Sequence, residues 1–212
     1  MDILGSEKSE KSEKFDKSDK SDKPLSHRWN FYDHIKCDQN NYDQSTSKIG
    51  TCSTIFEFWT CYEKLPKPSQ IFYQKECGKP FYYKNDVKRE ISSLSVFKDP
   101  ILPKWEDPVN KTGGEIEYRI KADTSIEFVD KLWLYLCIYC LSDNFVNRET
   151  SSGITGFRLV DSSIPSQNKA LYRVEIWFDN LSMANSVEKR FRNIFELHGP
   201  EHKITTKKHL FT

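Results

Sequence analysis

Two helix-capping sequences, with segments of period-two alternation set around and between them, constrain this chain more than anything else in it. Thr54-x-x-Glu57 opens a run in which Ile55, Phe58, Trp59 and Tyr62 recur at helical spacing, which predicts a helix over about 54–63. Thr124-x-x-Glu127 opens a second helix over about 125–141, and a third follows Ser182, with Met183, Val187, Phe191, Ile194 and Phe195 on one face, stopping at Gly199-Pro200. Trp29–Tyr32 reads as a strand; Ile116, Tyr118 and Ile120 alternate with polar residues, as do Tyr172, Val174 and Ile176. Strand runs interspersed with long helices predict an α+β domain. Its curved antiparallel sheet carries helices on one face and leaves the other open to a ligand.

The chain has 212 residues, enough for one ordinary domain with a stable core, and its 14% aromatic content sits oddly beside a mean hydropathy of −0.70. Residues 6–23 account for the conflict. They form six triplets, five of the type Ser-Glu-Lys or Ser-Asp-Lys and one Phe15-Asp16-Lys17, which bury nothing and cannot offset the entropy of ordering. The expected organisation is a disordered tail over 1–23 and a folded body over 24–212. The tail holds six Lys and seven Asp/Glu, a charge of −1, so a total of +1 leaves +2 on the body. That balance excludes a general nucleic-acid binder, and any nucleic-acid contact should be local and specific. Met1–Lys8 has no apolar stretch of signal-peptide type and no run is long enough to span a membrane, so a cytoplasmic protein is expected, with the nucleus as a further location.

Six cysteines are present, and disulfides are not expected in that compartment. Cys137 and Cys140 form C-x-x-C inside an apolar helix, with no second pair at zinc-finger spacing; filling a core explains them better than metal or redox chemistry. The segment 64–90, with Pro66, Pro68 and Pro80, two aromatic clusters and scattered basic residues, reads as an insertion or a long loop.

Trp105-Glu106-Asp107, followed by Gly113-Gly114, carries the chemistry. An indole face can stack on a flat base, and a neighbouring carboxylate can accept hydrogen bonds from the edge of that base. A purine that is flat, cationic and rich in N–H donors suits the pair; N7-methylguanine is one. Taken singly, a loop Trp is more often core cover and Gly-Gly is just a turn; the ordered combination is what points to a site.

Phe97-Lys98-Asp99-x5-Trp105-Glu106-Asp107-x2-Asn110-Lys111-x-Gly113-Gly114 resembles eukaryotic translation initiation factor 4E, the messenger RNA cap-binding family. Ile55-x2-Phe58-Trp59-x2-Tyr62, Trp133-Leu134 and Glu175-Ile176-Trp177 match further segments in order, and the likeness runs from Pro24 to about Thr205. The resemblance implies a cupped antiparallel sheet of about eight strands, backed by three helices on its convex face, with the cap slot on the concave face. It also implies a cap site of Tyr42, Trp105, Glu106, Arg173 and Trp177. Trp105 is the second stacking ring, Glu106 pairs with the guanine N1–H and 2-amino group, and Arg173 is a phosphate ligand. Tyr42 falls where the first stacking ring belongs, in a pattern, Tyr42-x6-Ile49-Gly50-Thr51, similar to the 4E homologous protein branch. Glu115 stands where an arginine is expected and another expected arginine falls near Ser162, so the phosphate side departs from the pattern; Arg158, Lys111 and Lys169 are substitutes. A second surface, of Pro24, Ile55, Trp59 and Leu134, would take a partner helix carrying tyrosine, four residues of any kind, leucine and an apolar residue.

Two electron-rich rings attract a methylated, cationic guanine by cation–π attraction on top of stacking, about 1–3 kcal/mol per stack. A carboxylate reading two donors rejects adenine. No nucleophile–base pair or phosphate-cradling loop is evident; Glu106 and Asp107 are adjacent and point apart on an extended backbone, so an enzyme is not expected. No cofactor and no metal are expected either, and the chain alone is expected to be a monomer. The function implied is binding the 7-methylguanosine cap and recruiting a scaffold protein to start translation. The alternative is a weak cap-binding relative that competes with the initiator and represses it.

Overall fold

The computed structural model describes residues 22–36, 45–84, 87–122, 124–142, 153–199 and 201–209. Strands β1 (Pro24–Ile35) and β2 (Thr46–Thr54) form a hairpin and lead into helix α1 (Ile55–Lys64). A single helical turn, α2 (Pro68–Ile71), and a small hairpin of β3 (Tyr82–Lys84) and β4 (Val87–Arg89) precede β5 (Ile91–Lys98) and β6 (Gly114–Arg119). Helix α3 (Ile126–Leu141), β7 (Ile154–Asp161), β8 (Tyr172–Phe178), α4 (Ala184–Ile194) and β9 (Ile204–Lys208) complete the order. Seven strands make one antiparallel sheet in the order β2-β1-β5-β7-β8-β6-β9, and β3-β4 stands apart as a two-stranded sheet. The α+β reading holds, with seven strands in the main sheet instead of about eight. Segment 64–90 is not a bare loop, because it contains α2 and the small hairpin.

The helices begin where side chains satisfy their free N–H groups. Thr54 Oγ1 accepts from the Glu57 N–H (3.1 Å), while Glu57 turns back to the Ser53 N–H and hydroxyl (2.7 Å each). The chain before β1 helps too: the Lys23 carbonyl and an Asp22 carboxylate oxygen accept from Ile55 and Phe56. The second cap lies one residue later than its sequence box. Ser125 accepts from Phe128, whereas Thr124 turns to the Lys121 carbonyl. The third helix ends at Ile194, short of Gly199, because Glu196 takes a left-handed φ of 50°.

The core lies between the helices and one face of the sheet. Trp29 and Phe31 of β1, Phe58 and Tyr62 of α1, Trp133 and Leu136 of α3, and Val187 and Phe191 of α4 are buried there. Cys137 and Cys140 belong to the same core, as expected for small apolar fillers. Asp33 is also fully buried, and Arg89 of β4 meets it with both terminal nitrogens (Nη1 to Oδ2 2.9 Å, Nη2 to Oδ1 2.8 Å), tying the small hairpin to the sheet. No helix among the described residues is long and apolar enough to cross a membrane.

Candidate nucleotide-binding face and partner groove

Period-two alternation sends Asn30, Tyr32 and His34 of β1 to the face opposite the core, and the cross-strand register extends each into a row. The first row reads Asn30, Phe97, Gly156, Trp177, Glu115 and Lys207; the second reads Tyr32, Ser95, Arg158, Glu175, Glu117 and Thr205. The third runs from His34 through Ser93 and Val160 to Arg173 and Arg119. A small aromatic cluster of Tyr32, Phe97 and Trp177 marks the apolar end of this face. Gly156 is required there: a Cβ would lie 2.3–2.6 Å from three ring carbons of Phe97, whose ring stands edge-on against Trp177 at 5.2 Å.

Trp105 is held over that end by the loop between β5 and β6. Asn110 Nδ2 donates to the carbonyls of Leu102 and Lys104 (2.9 Å each), and Asp107 accepts from the N–H groups of Leu102 (2.9 Å) and Val109 (3.0 Å). Asp107 is thereby spent on shaping the loop, while Glu106 is exposed. The loop closes at Gly113, where a Cβ would lie 1.7 Å from the Phe178 carbonyl oxygen; the Gly-Gly pair serves close strand approach and not a left-handed turn. Trp105 keeps 40% of its surface exposed. It lies nearly parallel to His209 (6.1 Å, 24°) and Trp177 (6.4 Å, 30°). Trp177 itself is buried to 1% exposure, its Nε1–H donating to Glu175 (3.3 Å), so it forms floor and not an open platform.

The far end of the face is charged. Arg173 shares the strand face of Trp177, as alternation requires, but it is already engaged by Glu175 (2.8 Å) and Glu117 (3.5 Å). Arg158 reaches Ser93 (3.2 Å) and Glu175 (3.5 Å), and Lys207 bridges Glu117 and Glu115 (3.9 Å to the latter). Burial pushes the Glu115 carboxyl up, aided by the field of Glu175 and opposed by His209 and Lys207. Burial also works against ionised Glu117, but hydrogen bonds from Lys207 and Arg119 outweigh it and leave its pKa below the ordinary value. His34, buried between Thr46 Oγ1 (2.9 Å) and Ser95 Oγ (2.7 Å), is held well below the usual imidazole value, first by desolvation and then by Arg158 and Arg89.

Of the five residues expected around a cap, Trp105 and Trp177 come together, Arg173 lies on the same strand face two rows away, and Glu106 is exposed in the loop next to Trp105; Tyr42 lies outside the described residues. Lys111 and Lys169 are exposed, and Arg158 takes a place in the floor. Sequence reasoning did not single out His209, Glu117 or Glu175. The odd-numbered alternation of Glu115 with Glu117 was a signal for one side of that cluster; nothing in the sequence announced the register that brings Glu175 to it.

On the helical side, Pro24, Leu25, Ile55, Phe58, Trp59, Ile138 and Leu141 line an apolar groove of about 340 Å³. Trp59 is 41% exposed and Ile55 43%, while Phe58, next in sequence to Trp59, is buried with its ring 4.9 Å away. Leu134 is half-buried against the core, and the groove takes Ile138 and Leu141 from α3 and Ser142 from the residue that caps its end.

The family model described as eukaryotic initiation factor 4E matches residues 24–210. The chain is 28% identical over 162 residues to Eukaryotic translation initiation factor 4E-1 of Arabidopsis thaliana, covering 75% of this chain and 56% of that protein. It is 26% identical over 183 residues to factor 4E-2 of Schizosaccharomyces pombe, covering 84% and 64%. The chain thus spans less than two thirds of either relative. In fold it is similar to a Schistosome initiation factor 4E solved with m7GpppG and 4E-BP, with a TM-score of 0.68, 24% identity and 88% of each chain covered. It is also similar to Ascaris suum factor 4E-3 solved with an m7G cap, with a TM-score of 0.68, 16% identity, 90% of this chain and 93% of that one covered.

Proposed function

Because this chain belongs to the eukaryotic initiation factor 4E family, we propose that it binds the 7-methylguanosine cap of messenger RNA on its concave face and recruits a scaffold protein through the groove beside Trp59 to start translation. The observation that carries the reading is the half-open indole of Trp105. One of its faces is backed by His209 and Trp177, and an exposed carboxylate, Glu106, is its neighbour. A methylated guanine stacks on the exposed indole, with Tyr42 as the second ring of the reading, and Glu106 takes the N1–H and 2-amino donors. Stacking on an electron-rich face favours the cationic base over its unmethylated parent. The cap-binding domain is 24–212, with 64–90 inserted in it, working in the cytoplasm; of the expected disordered tail over 1–23, residues 1–21 lie outside the described residues, and Asp22 and Lys23 are hydrogen-bonded to the start of α1. Binding and not turnover is its chemistry: the acids of the concave face are tied to cations and the loop acid Asp107 to backbone N–H groups.

The groove suits an amphipathic helix, since Ile55, Trp59 and Ile138 present apolar surface while Ser26 and Ser142 sit at its rim. Titration of tryptophan emission with methylated and unmethylated cap analogues tests the proposal. Quenching by the methylated form alone, lost in Trp105→Ala and in Glu106→Ala, is the expected result. Equal binding of both analogues refutes it.

A further inference from the structure

Four cations borne by the strands of the concave face, Arg158, Arg173, Lys207 and Arg119, are already committed to carboxylates. Glu115, Glu117 and Glu175 offer oxygens that all lie within 4.8 Å of one another, and the three side chains are 2–4% exposed. Around them stand Arg158, Arg173, Lys207 and Arg119. Arg173 is shared between Glu175 and Glu117, Arg158 faces Glu175, Lys207 bridges Glu117 and Glu115, and Arg119 binds Glu117 at 2.9 Å. Four cations against three carboxylates leave a surplus of only one charge, and Arg119 is 78% exposed, where water screens it.

Resting on the cap reading above, we propose that this face recognises the methylated base and gains little from the phosphate chain, so that its ligand class is the 7-methylguanosine nucleotide almost regardless of phosphate number. Two physical costs set this. A phosphate brought to Arg173 comes close to a buried cluster of like charge. Drawing Arg173 or Lys207 toward that phosphate strips a buried carboxylate of its partner, and that is the costly half of breaking a buried pair. Glu115 adds to both costs. It stands in the first row beside Trp177, where the family resemblance implies an arginine, and its partners are His209 (3.3 Å) and Lys207. A site that reads phosphates needs Arg or Lys free to form new charge-assisted hydrogen bonds. Here those bonds are made within the protein.

The test is fluorescence titration of the full chain with 7-methylguanosine mono-, di- and triphosphate at one ionic strength, repeated for the triphosphate at several salt concentrations. Affinity that rises by less than about tenfold from mono- to triphosphate, with a shallow salt slope, is expected. A rise of about tenfold or more, or a steep loss with salt, overturns the proposal while leaving cap binding in place. Quenching by none of the three overturns the cap reading itself, and this inference with it. Glu175→Gln releases Arg173 from its nearest partner. If that variant keeps the circular dichroism and melting of the parent, its affinity should climb more steeply with phosphate number. An unchanged, flat profile in a folded Glu175→Gln variant counts against the paired-cation explanation.

Discussion

Removing the Arg89 guanidinium should cost this protein a large share of its stability, although Arg89 lies on a three-residue strand outside the main sheet. Asp33 is fully buried in β1, and Arg89 meets its two oxygens at 2.8 and 2.9 Å while also reaching Ser47 (3.1 Å). With the two charge centres roughly 4 Å apart and an effective dielectric of about 20, their attraction is about 4 kcal/mol. Arg89→Ala leaves the carboxylate buried without that partner, a defect that typically costs about 3–5 kcal/mol. In urea, at a slope of about 2 kcal/mol per molar, the midpoint should fall by about 1.5–2.5 M. Arg89→Lys should recover only part of this, because an ammonium cannot span both oxygens. The decisive measurement is the double variant Asp33→Leu/Arg89→Leu. Apolar replacement of both partners removes the unpaired charge, so it should be much more stable than Arg89→Ala. The reasoning fails if Arg89→Ala shifts the midpoint by less than about 0.3 M, or if the double variant is as unstable as the single one.

Three further outcomes follow from the same geometry. Gly156→Ala forces a methyl into the Phe97 ring; overpacking of this kind costs about 1–3 kcal/mol and should lower the melting temperature by about 2–12 °C, so a melt within about 1 °C of the parent refutes the contact. His34 has a folded pKa well below its unfolded value, so the unfolded chain takes up the proton first. Its contribution is therefore fully present above about pH 6.5 and is lost as the pH falls toward the folded value, and His34→Gln should flatten that acid limb of stability; an unchanged limb rules the assignment out. Trp59→Ala should weaken capture of a tyrosine-x4-leucine-apolar peptide by about 2 kcal/mol or more while cap-analogue titration stays as in the parent, and equal loss of both would contradict the separation of the two surfaces.

The helices were legible because their start signals are local. Thr54, Glu57 and the helical spacing of Phe58 and Tyr62 lie within about two turns of one another; one slip, Thr124 for Ser125, came from two neighbouring hydroxyls that can each serve as a cap, and another, the early end of the third helix at Ile194, from the left-handed Glu196. Strand alternation was legible for the same reason, and it placed Arg173 and Trp177 on one face. What stayed hidden depends on which strand lies beside which. Glu175 meets Glu117 only through the pairing of β8 with β6, and Asp33 meets Arg89 across 56 residues of chain. His209 follows a strand whose residues are mostly polar, with no periodic signal to place it beneath Trp105. Ile138, which lines the groove one turn beyond Leu134, carried no sequence signal beyond its place on an apolar helix.

Strand β1 serves two rooms at once. Trp29 and Phe31 furnish the side shared with the helices, Tyr32 and His34 the opposite side of the sheet, and its first residues, Pro24 and Leu25, edge the groove. Deleting one residue between 29 and 34 would exchange the occupants of the rooms for the rest of the strand, sending rings outward and an imidazole into the hydrocarbon interior. Deleting two would keep every side chain in its own room and merely shorten the wall. Tolerance to length change along this stretch should therefore go by parity and not by size.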